Sequence, residues 1–189
     1  MKVIQLHQEE KQLIMLAVEN NRQAQQQIYA KFSSKMLSVC RQYIKDIHHA
    51  EDVMITGFMK VFTNLKNFEH KGSFEGWIRR IMIFECIDFL RVKKNNFNHH
   101  DIEDVTISES ESVYEMEDFS VDDIQNMIDN LPDGYRMVFN LYAIEGYKHQ
   151  EIAEMLKISE GTSKSQLSHA RKLLQQQITE LKNRLNGTK

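Results

Sequence analysis

The sequence predicts an all-α protein: two helical domains, a helix bundle followed by a helix-turn-helix, joined by an acidic flexible linker. Three observations predict it. Among 189 residues there are one Pro and seven Gly, too few for the tight turns that an all-β sandwich requires. Apolar residues recur three and four apart over most of the chain, which is the helical period. Charge is segregated: residues 1–95 hold 15 Lys/Arg against 10 Asp/Glu, residues 96–130 none against 11, and residues 131–189 9 against 6, so the net −3 hides blocks of +5, −11 and +3. Such blocks mark interaction segments or solvated linkers. With 41% apolar and 27% charged residues the chain has ordinary globular composition and length for one large or two small domains.

The first block, residues 1–95, reads as four helices. Leu13, Ile14, Leu16 and Ala17 fall in a short first one. Ile28, Phe32, Met36, Val39, Cys40, Tyr43 and Ile44 share one face of the second, and Ala50, Val53, Met54, Gly57, Phe58, Val61, Phe62 and Leu65 one face of the third. A fourth follows Gly72-Ser73, with Ser73 placed to cap it, and from Trp77 to Leu90 it is apolar on most sides, as a helix among several neighbours would be. Residues 96–119 show no period and are rich in Ser and Glu, the composition of a flexible linker.

The third segment, residues 120–189, opens with a short amphipathic helix on Val121, Ile124, Met127 and Ile128. Pro132 suits the first turn of the next helix, in which Met137, Val138, Leu141 and Tyr142 face inward until Glu145-Gly146 ends it. Gln150 to Leu156 is then a two-turn helix with Ile152, Ala153 and Leu156 inward, and Lys157-Ile158-Ser159 is a turn in which Ile158 plugs the core and Ser159 caps the following helix. That last helix buries Leu167, Ala170, Leu174, Ile178 and Leu181. Two helices crossing over a three-residue turn form a helix-turn-helix. Lys164, Ser165, Gln166, Ser168, His169, Arg171 and Lys172 lie outward or on the flanks, as donors for phosphates and base edges. An ordinary αα-hairpin with a solvated polar face is the plainer reading of the same pattern.

These residues resemble the bacterial RNA polymerase sigma factors of the sigma-70 family, extracytoplasmic-function group. In the last segment the resemblance rests on Leu131-Pro132, Arg136-Met137-Val138-Phe139, Glu145-Gly146-Tyr147, Glu151-Ile152-Ala153 and Gly161-Thr162 through Lys164-Ser165-Gln166-Leu167 to Ala170-Arg171. In the first it rests on Ala50-Glu51-Asp52-Val53, Phe58-Met59-Lys60-Val61-Phe62, Asn64-Leu65, Phe68, Phe74, Gly76-Trp77-Ile78, Ile81 and Ile87-Asp88-Phe89-Leu90-Arg91. The resemblance implies a sigma domain 2-like bundle that docks on core polymerase, through its beta-prime and beta subunits, and opens the promoter near −10. It implies a sigma domain 4-like module that reads the −35 element through the helix starting near Gly161. It further implies an anti-sigma protein as a partner and a free chain that is monomeric.

Residue roles follow from the resemblance and the local chemistry together. Glu51 and Asp52 are expected to begin the third helix, where the dipole favours carboxylates, and to pair with polymerase arginines, with Met54, Met59 and Lys60 completing that face; alone, the two acids would also read as a plain acidic turn. The loop Lys66-Asn67-Phe68-Glu69-His70-Lys71-Gly72 offers the amides, aromatic face and cations that hold an unstacked base. Lys66, Asn67, Phe68 and Lys71 are its candidates, and two readings of Phe68 stand, base stacking and packing into the bundle. Trp77 reads as core. Arg79, Arg80, Arg91, Lys93 and Lys94 give the fourth helix a basic side for the DNA backbone. The acidic linker reads either as a mimic of RNA in the polymerase's exit path or as a solvated tether.

Four positions depart from the family. Ile55-Thr56 stands where Gln-Glu is usual, and Ile83-Phe84-Glu85 where Arg-Asn is common at the first two, so an unusual −10 preference is expected. Ser163 replaces an inward Val and is expected to bond back to a carbonyl one turn earlier, leaving the recognition helix slightly loose. Lys157 replaces a turn Gly, a penalty if that residue is left-handed.

No catalytic constellation emerges. The His48-His49 and His99-His100 pairs are adjacent rather than four apart, so neither shares a helical face as metal ligands do. There is no glycine-rich phosphate loop, and no cofactor is expected. Cys40 and Cys86 form no disulfide framework and read as packed rather than reactive. With no apolar run approaching a membrane span and no signal-peptide stretch after Met1, a cytoplasmic, non-enzymatic protein is expected. The alternative is a stand-alone helix-turn-helix repressor with a helical sensor domain, which would bind its operator without polymerase, usually as a dimer.

Overall fold

The structure, a computed structural model, describes residues 2–96 and 119–186. It contains two compact units, Met1–Arg91 and Val92–Lys189. All but the end residues of the expected linker, and the RNA-mimic reading with them, lie outside the described residues, as does the His99-His100 pair.

In the first unit α1 (Lys2–Val18) is longer than the short helix expected, and of its four expected apolar contacts Ile14 and Ala17 are buried while Leu16 is exposed. Asn21 caps α2 (Arg22–Tyr43) by accepting from the Ala24 N–H at 3.1 Å. The expected stripe of α2 from Ile28 to Tyr43 is buried, with Ala24 added at its start. Asp46 caps α3 (Ile47–Asn64), accepting from the His49 N–H at 2.9 Å, and that bond holds the Asp46 carboxyl below its ordinary range. The helix therefore begins before Glu51 and Asp52, which fall in its second turn, beyond the reach of the first-turn dipole invoked for them.

A single 3₁₀ turn, Leu65–Asn67, leads from α3 into the loop before α4 (Phe74–Asn96). Ser73 caps α4 as expected, accepting from the Gly76 N–H at 3.0 Å. α3 and α4 approach closely at Gly57, where an added Cβ would overlap Met82 Sδ. That contact explains the glycine in an otherwise apolar stripe. Cys40 and Cys86 are both buried, and the hydrogen bond between them, together with burial, pushes the Cys86 thiol far up. A thiol held protonated is a packing group rather than a nucleophile.

In the second unit Ser120 and Asp123 form a reciprocal capping box at the start of α5 (Val121–Asp129), and the Ser120 hydroxyl and N–H hold the Asp123 carboxyl below its ordinary range. Pro132 is the N-cap of α6 (Asp133–Phe139), one position earlier than expected. The α5–α6 joint is fixed by Arg136, 2% exposed, whose guanidinium donates to the carbonyls of Asp129 at 3.4 Å and Leu131 at 3.2 Å and to Asp133 Oδ1 at 2.6 Å. A buried guanidinium is tolerable only with its donors satisfied in this way.

α6 continues into a π-helical turn, Asn140–Ile144, that ends at Gly146 in a left-handed conformation, φ 77°. The wider turn changes which residues face inward: Leu141 is buried, but Tyr142, expected inward, is exposed. After α7 (His149–Leu156), Lys157 adopts φ 55° and ψ 47°, so the left-handed penalty foreseen for it applies. Ser159 caps α8 (Glu160–Asn186), accepting from the Thr162 N–H at 2.9 Å. Of the expected inward face of α8, Leu167 and Ala170 are buried and Leu174, Ile178 and Leu181 half-buried; Ile152 of α7 is buried, while Ala153, Leu156 and Ile158 are half-buried. No strand occurs among the described residues, and none of their helices is long and apolar enough to cross a membrane.

Candidate functional site

Three surfaces gather the residues singled out above: one on α3, a cleft between α3 and α4, and the outer face of α8.

On α3, Asp52 and Met59 are exposed and Glu51 half-exposed, with His48 Nδ1 3.8 Å from the Glu51 carboxylate. Two residues expected on this face lie elsewhere. Met54 is 5% exposed and packs into the bundle, because it follows Val53 onto the buried stripe. Lys60 turns to α4 and pairs with Glu85. Ile55, noticed only as a departure, is exposed, one helical turn before Met59, and leaves two large apolar side chains in solvent.

The cleft has a volume of about 360 Å³. Trp77, Ile81 and Phe84 supply apolar surface, and Asn64, Asn67, Lys60 and Glu85 supply polar groups. Lys60 Nζ donates to Glu85 Oε1 at 2.5 Å, and Glu85 is 8% exposed. Of the predicted loop residues, Asn67 lines the cleft and donates to Asn64 Oδ1 at 3.4 Å, Lys66 is exposed, and Lys71 pairs with Glu69 at 2.6 Å. Phe68 is buried, with its ring centroid 5.1 Å from that of Phe74 and 5.4 Å from that of Trp77. Of its two readings, the structure shows the packed one. The accessible aromatic surface belongs instead to half-buried Trp77, which was expected in the core, and to Phe84.

On α4 the Arg80 guanidinium is exposed and lies over the Phe84 ring, 5.8 Å from its centroid. Arg79 is half-buried and Arg91 pairs with Asp88 at 2.8 Å. The side chains of Lys93 and Lys94 lie outside the described residues. The cleft was obscured in the sequence because its walls are mixed. Lys60, Asn64 and Asn67 on one side and Trp77, Ile81 and Glu85 on the other do recur at helical spacing, but neither stripe is uniformly apolar or charged.

On α8, Lys164, Ser165, Ser168 and Arg171 are exposed and Gln166, His169 and Lys172 half-exposed. Lys164 pairs with Glu160 at 2.7 Å, and this lysine holds the Glu160 carboxyl below the usual range. The Arg171 guanidinium sits 5.7 Å from the centroid of the Tyr142 ring, which stacks in turn on His149 at 4.6 Å. His169 stacks on Tyr135 at 5.4 Å, and its Nδ1 lies 2.8 Å from the Ser165 carbonyl oxygen. Aromatic rings from α6 and the π turn thus lie against two of the seven predicted DNA-facing side chains.

Ser163 does not bond back along its own helix. It is fully buried, and its Oγ lies 2.9 Å from Nδ1 of His149 on α7. The looseness expected of α8 is replaced by a polar tie between the two helices. Among the described residues no group of three His, Cys, Asp or Glu comes together as a metal site.

Comparison with known proteins identifies the family. Residues 28–96 match the family described as Sigma-70 region 2, and residues 121–174 the family described as Sigma-70, region 4. The chain is 30% identical over 163 residues to the ECF RNA polymerase sigma factor SigW of Bacillus subtilis, covering 79% of this chain and 86% of that one. It is 29% identical over 135 residues to the ECF RNA polymerase sigma factor SigE of Mycolicibacterium smegmatis, covering 67% and 51%. The fold resembles the sigma factor RpoE of Bartonella quintana, solved with the anti-sigma factor NepR, with TM-score 0.53 and 20% identity over 82% of this chain and 96% of that one. Both regions in this order favour a transcription initiation factor over the stand-alone repressor. The chain belongs to the sigma-70 family of RNA polymerase sigma factors, in its extracytoplasmic-function group.

Proposed function

We propose a division of labour between the two units in promoter-specific initiation. Glu51, Asp52 and Met59, joined by Ile55, dock on core polymerase, at its beta-prime and beta subunits. The α3–α4 cleft, with Asn64, Asn67 and Trp77, receives an unstacked −10 base, and Lys66, Lys71, Arg79, Arg80 and Arg91 follow the strand backbone, continued by Lys93 and Lys94. Lys164, Ser165, Gln166, Ser168, His169, Arg171 and Lys172 read the −35 element. The domain limits proposed are 1–95 and 120–189, with 96–119 as the linker. The protein works in the cytoplasm without chemistry or cofactor of its own, is monomeric when free, and has an anti-sigma partner, as RpoE has in its structure with NepR.

The observation that carries this reading is the outer face of α8. Lys164, Ser165, Ser168 and Arg171 stand in solvent on a helix fixed by a cap, a left-handed turn and a buried polar tie. Donors on a rigid helix suit major-groove readout. Lys164→Glu and Arg171→Glu test it in footprinting of the holoenzyme on a cognate promoter. Each is expected to cut −35 occupancy on the order of tenfold and leave core binding intact. Unchanged occupancy in both would remove α8 from the DNA.

A further inference from the structure

The α3–α4 cleft has a feature that base stacking alone does not use. Its deepest polar group is a carboxylate. Glu85 is 8% exposed, and Lys60 Nζ donates to its Oε1. Lys60 itself is half in solvent, with a side-chain exposure of 50%. A carboxylate is acceptor-only with room for about four hydrogen bonds, and an ammonium is donor-only with three. The pair therefore presents an acceptor beside a donor at the wall of a cleft that also contains the Trp77 and Phe84 rings.

We infer that the Glu85–Lys60 pair makes this cleft selective for a base whose exocyclic amino group adjoins a bare ring nitrogen, as in cytosine or adenine, against thymine. The inference rests on the reading of the cleft as the site of an unstacked −10 base. Cytosine N4–H donates to the Glu85 carboxylate while its N3 accepts from Lys60; adenine offers N6–H and N1 in the same order. Thymine reverses both: O4 faces the carboxylate, acceptor against acceptor, and N3–H faces the ammonium, donor against donor. A mismatch costs most at Glu85, which at 8% exposure has little water to turn to in place of a matched donor. A matched contact of this kind is worth on the order of tenfold or more in discrimination. The cleft volume of about 360 Å³ accommodates a pyrimidine or a purine, so polarity rather than size makes the choice.

The carboxylate directly follows the two departing positions, Ile83 and Phe84. Phe84 puts a ring where the family commonly has an amide side chain, and Glu85 supplies the acceptor one residue later. Both line the cleft.

The test uses holoenzyme assembled from core polymerase and the full chain, on a promoter set in which each −10 position is varied singly through all four bases. Open-complex formation is read by permanganate reactivity. For the native chain, one position is expected to favour cytosine or adenine over thymine by about tenfold or more. Glu85→Gln, whose amide can accept or donate, is expected to shrink that ratio to about two- or threefold while core retention and −35 dependence stay unchanged. Lys60→Met provides a second reading should the first variant fail to bind core, with the same loss of discrimination expected. The proposal is overturned if the native profile persists in these variants, or if opening depends on −10 sequence with no position favouring cytosine or adenine over thymine. If opening shows no −10 dependence at all, the base-capture reading beneath it fails instead.

Discussion

His149 Nδ1 on α7 lies 2.9 Å from Ser163 Oγ on α8, joining the two helices of the helix-turn-helix through their buried faces. The hydroxyl is fully buried and the imidazole half-buried, stacked on Tyr142. A polar pair here restricts the crossing of α7 and α8 more than an aliphatic contact would, because hydrogen bonds are directional. Through Tyr142 the same imidazole also bears on Arg171.

Ser163→Ala strands the His149 nitrogen and is expected to cost about 1 kcal/mol, a fall of roughly 4–8 °C in the melting temperature of a domain this size. The double variant Ser163→Ala/His149→Phe removes both polar partners and should recover part of that loss. Calorimetry checks both. A single variant as stable as the native chain would show the bond to be inconsequential.

Lys157 supplies the opposite case, a position where the native residue is strained. Its φ of 55° places a Cβ in the left-handed region, which costs roughly 1–2 kcal/mol. Lys157→Gly relieves that strain but frees the unfolded chain, so a net gain of about 0.5–1 kcal/mol is expected in denaturant unfolding. The bond from the Lys157 N–H to the Ala153 carbonyl is a backbone one and survives the change.

The two cases show what the sequence conveyed and what it withheld. Helical periodicity, the Ser73 and Ser159 caps and the helix-turn-helix spacing were legible because they depend on residues close in the chain. The left-handed strain at Lys157 was foreseeable for the same reason. The partners of Ser163 and Lys60 were not, since His149 lies 14 positions away and Glu85 lies 25 away. Met54 was assigned both to the buried stripe and to the docking face; the stripe is where it lies, because it follows Val53 inward while the exposed face starts one position later. Tyr142 was misplaced because the π turn breaks the period by which it was assigned. Buried Arg136 entered only as a motif residue, and its work, holding two carbonyls and one carboxylate at the α5–α6 joint, emerges only from the packing.

Charge reversal on α3 separates polymerase docking from DNA reading. Glu51 and Asp52 make no capping contact that α3 requires, since Asp46 caps it. Glu51→Lys/Asp52→Lys is therefore expected to keep the helical circular dichroism and melting temperature of the native chain. Retention on immobilised core polymerase should fall by on the order of tenfold or more, as like charge opposes like across an interface. Full retention would move the docking surface elsewhere.

The most direct measurement is transcription in vitro from a pool of genomic promoters by core polymerase, with and without the full chain. New, discrete start sites that appear only when both are present are expected, each preceded by shared −10 and −35 elements. A pool transcribed identically with and without the chain, alongside tight binding of the chain alone to specific duplex DNA, would contradict the account.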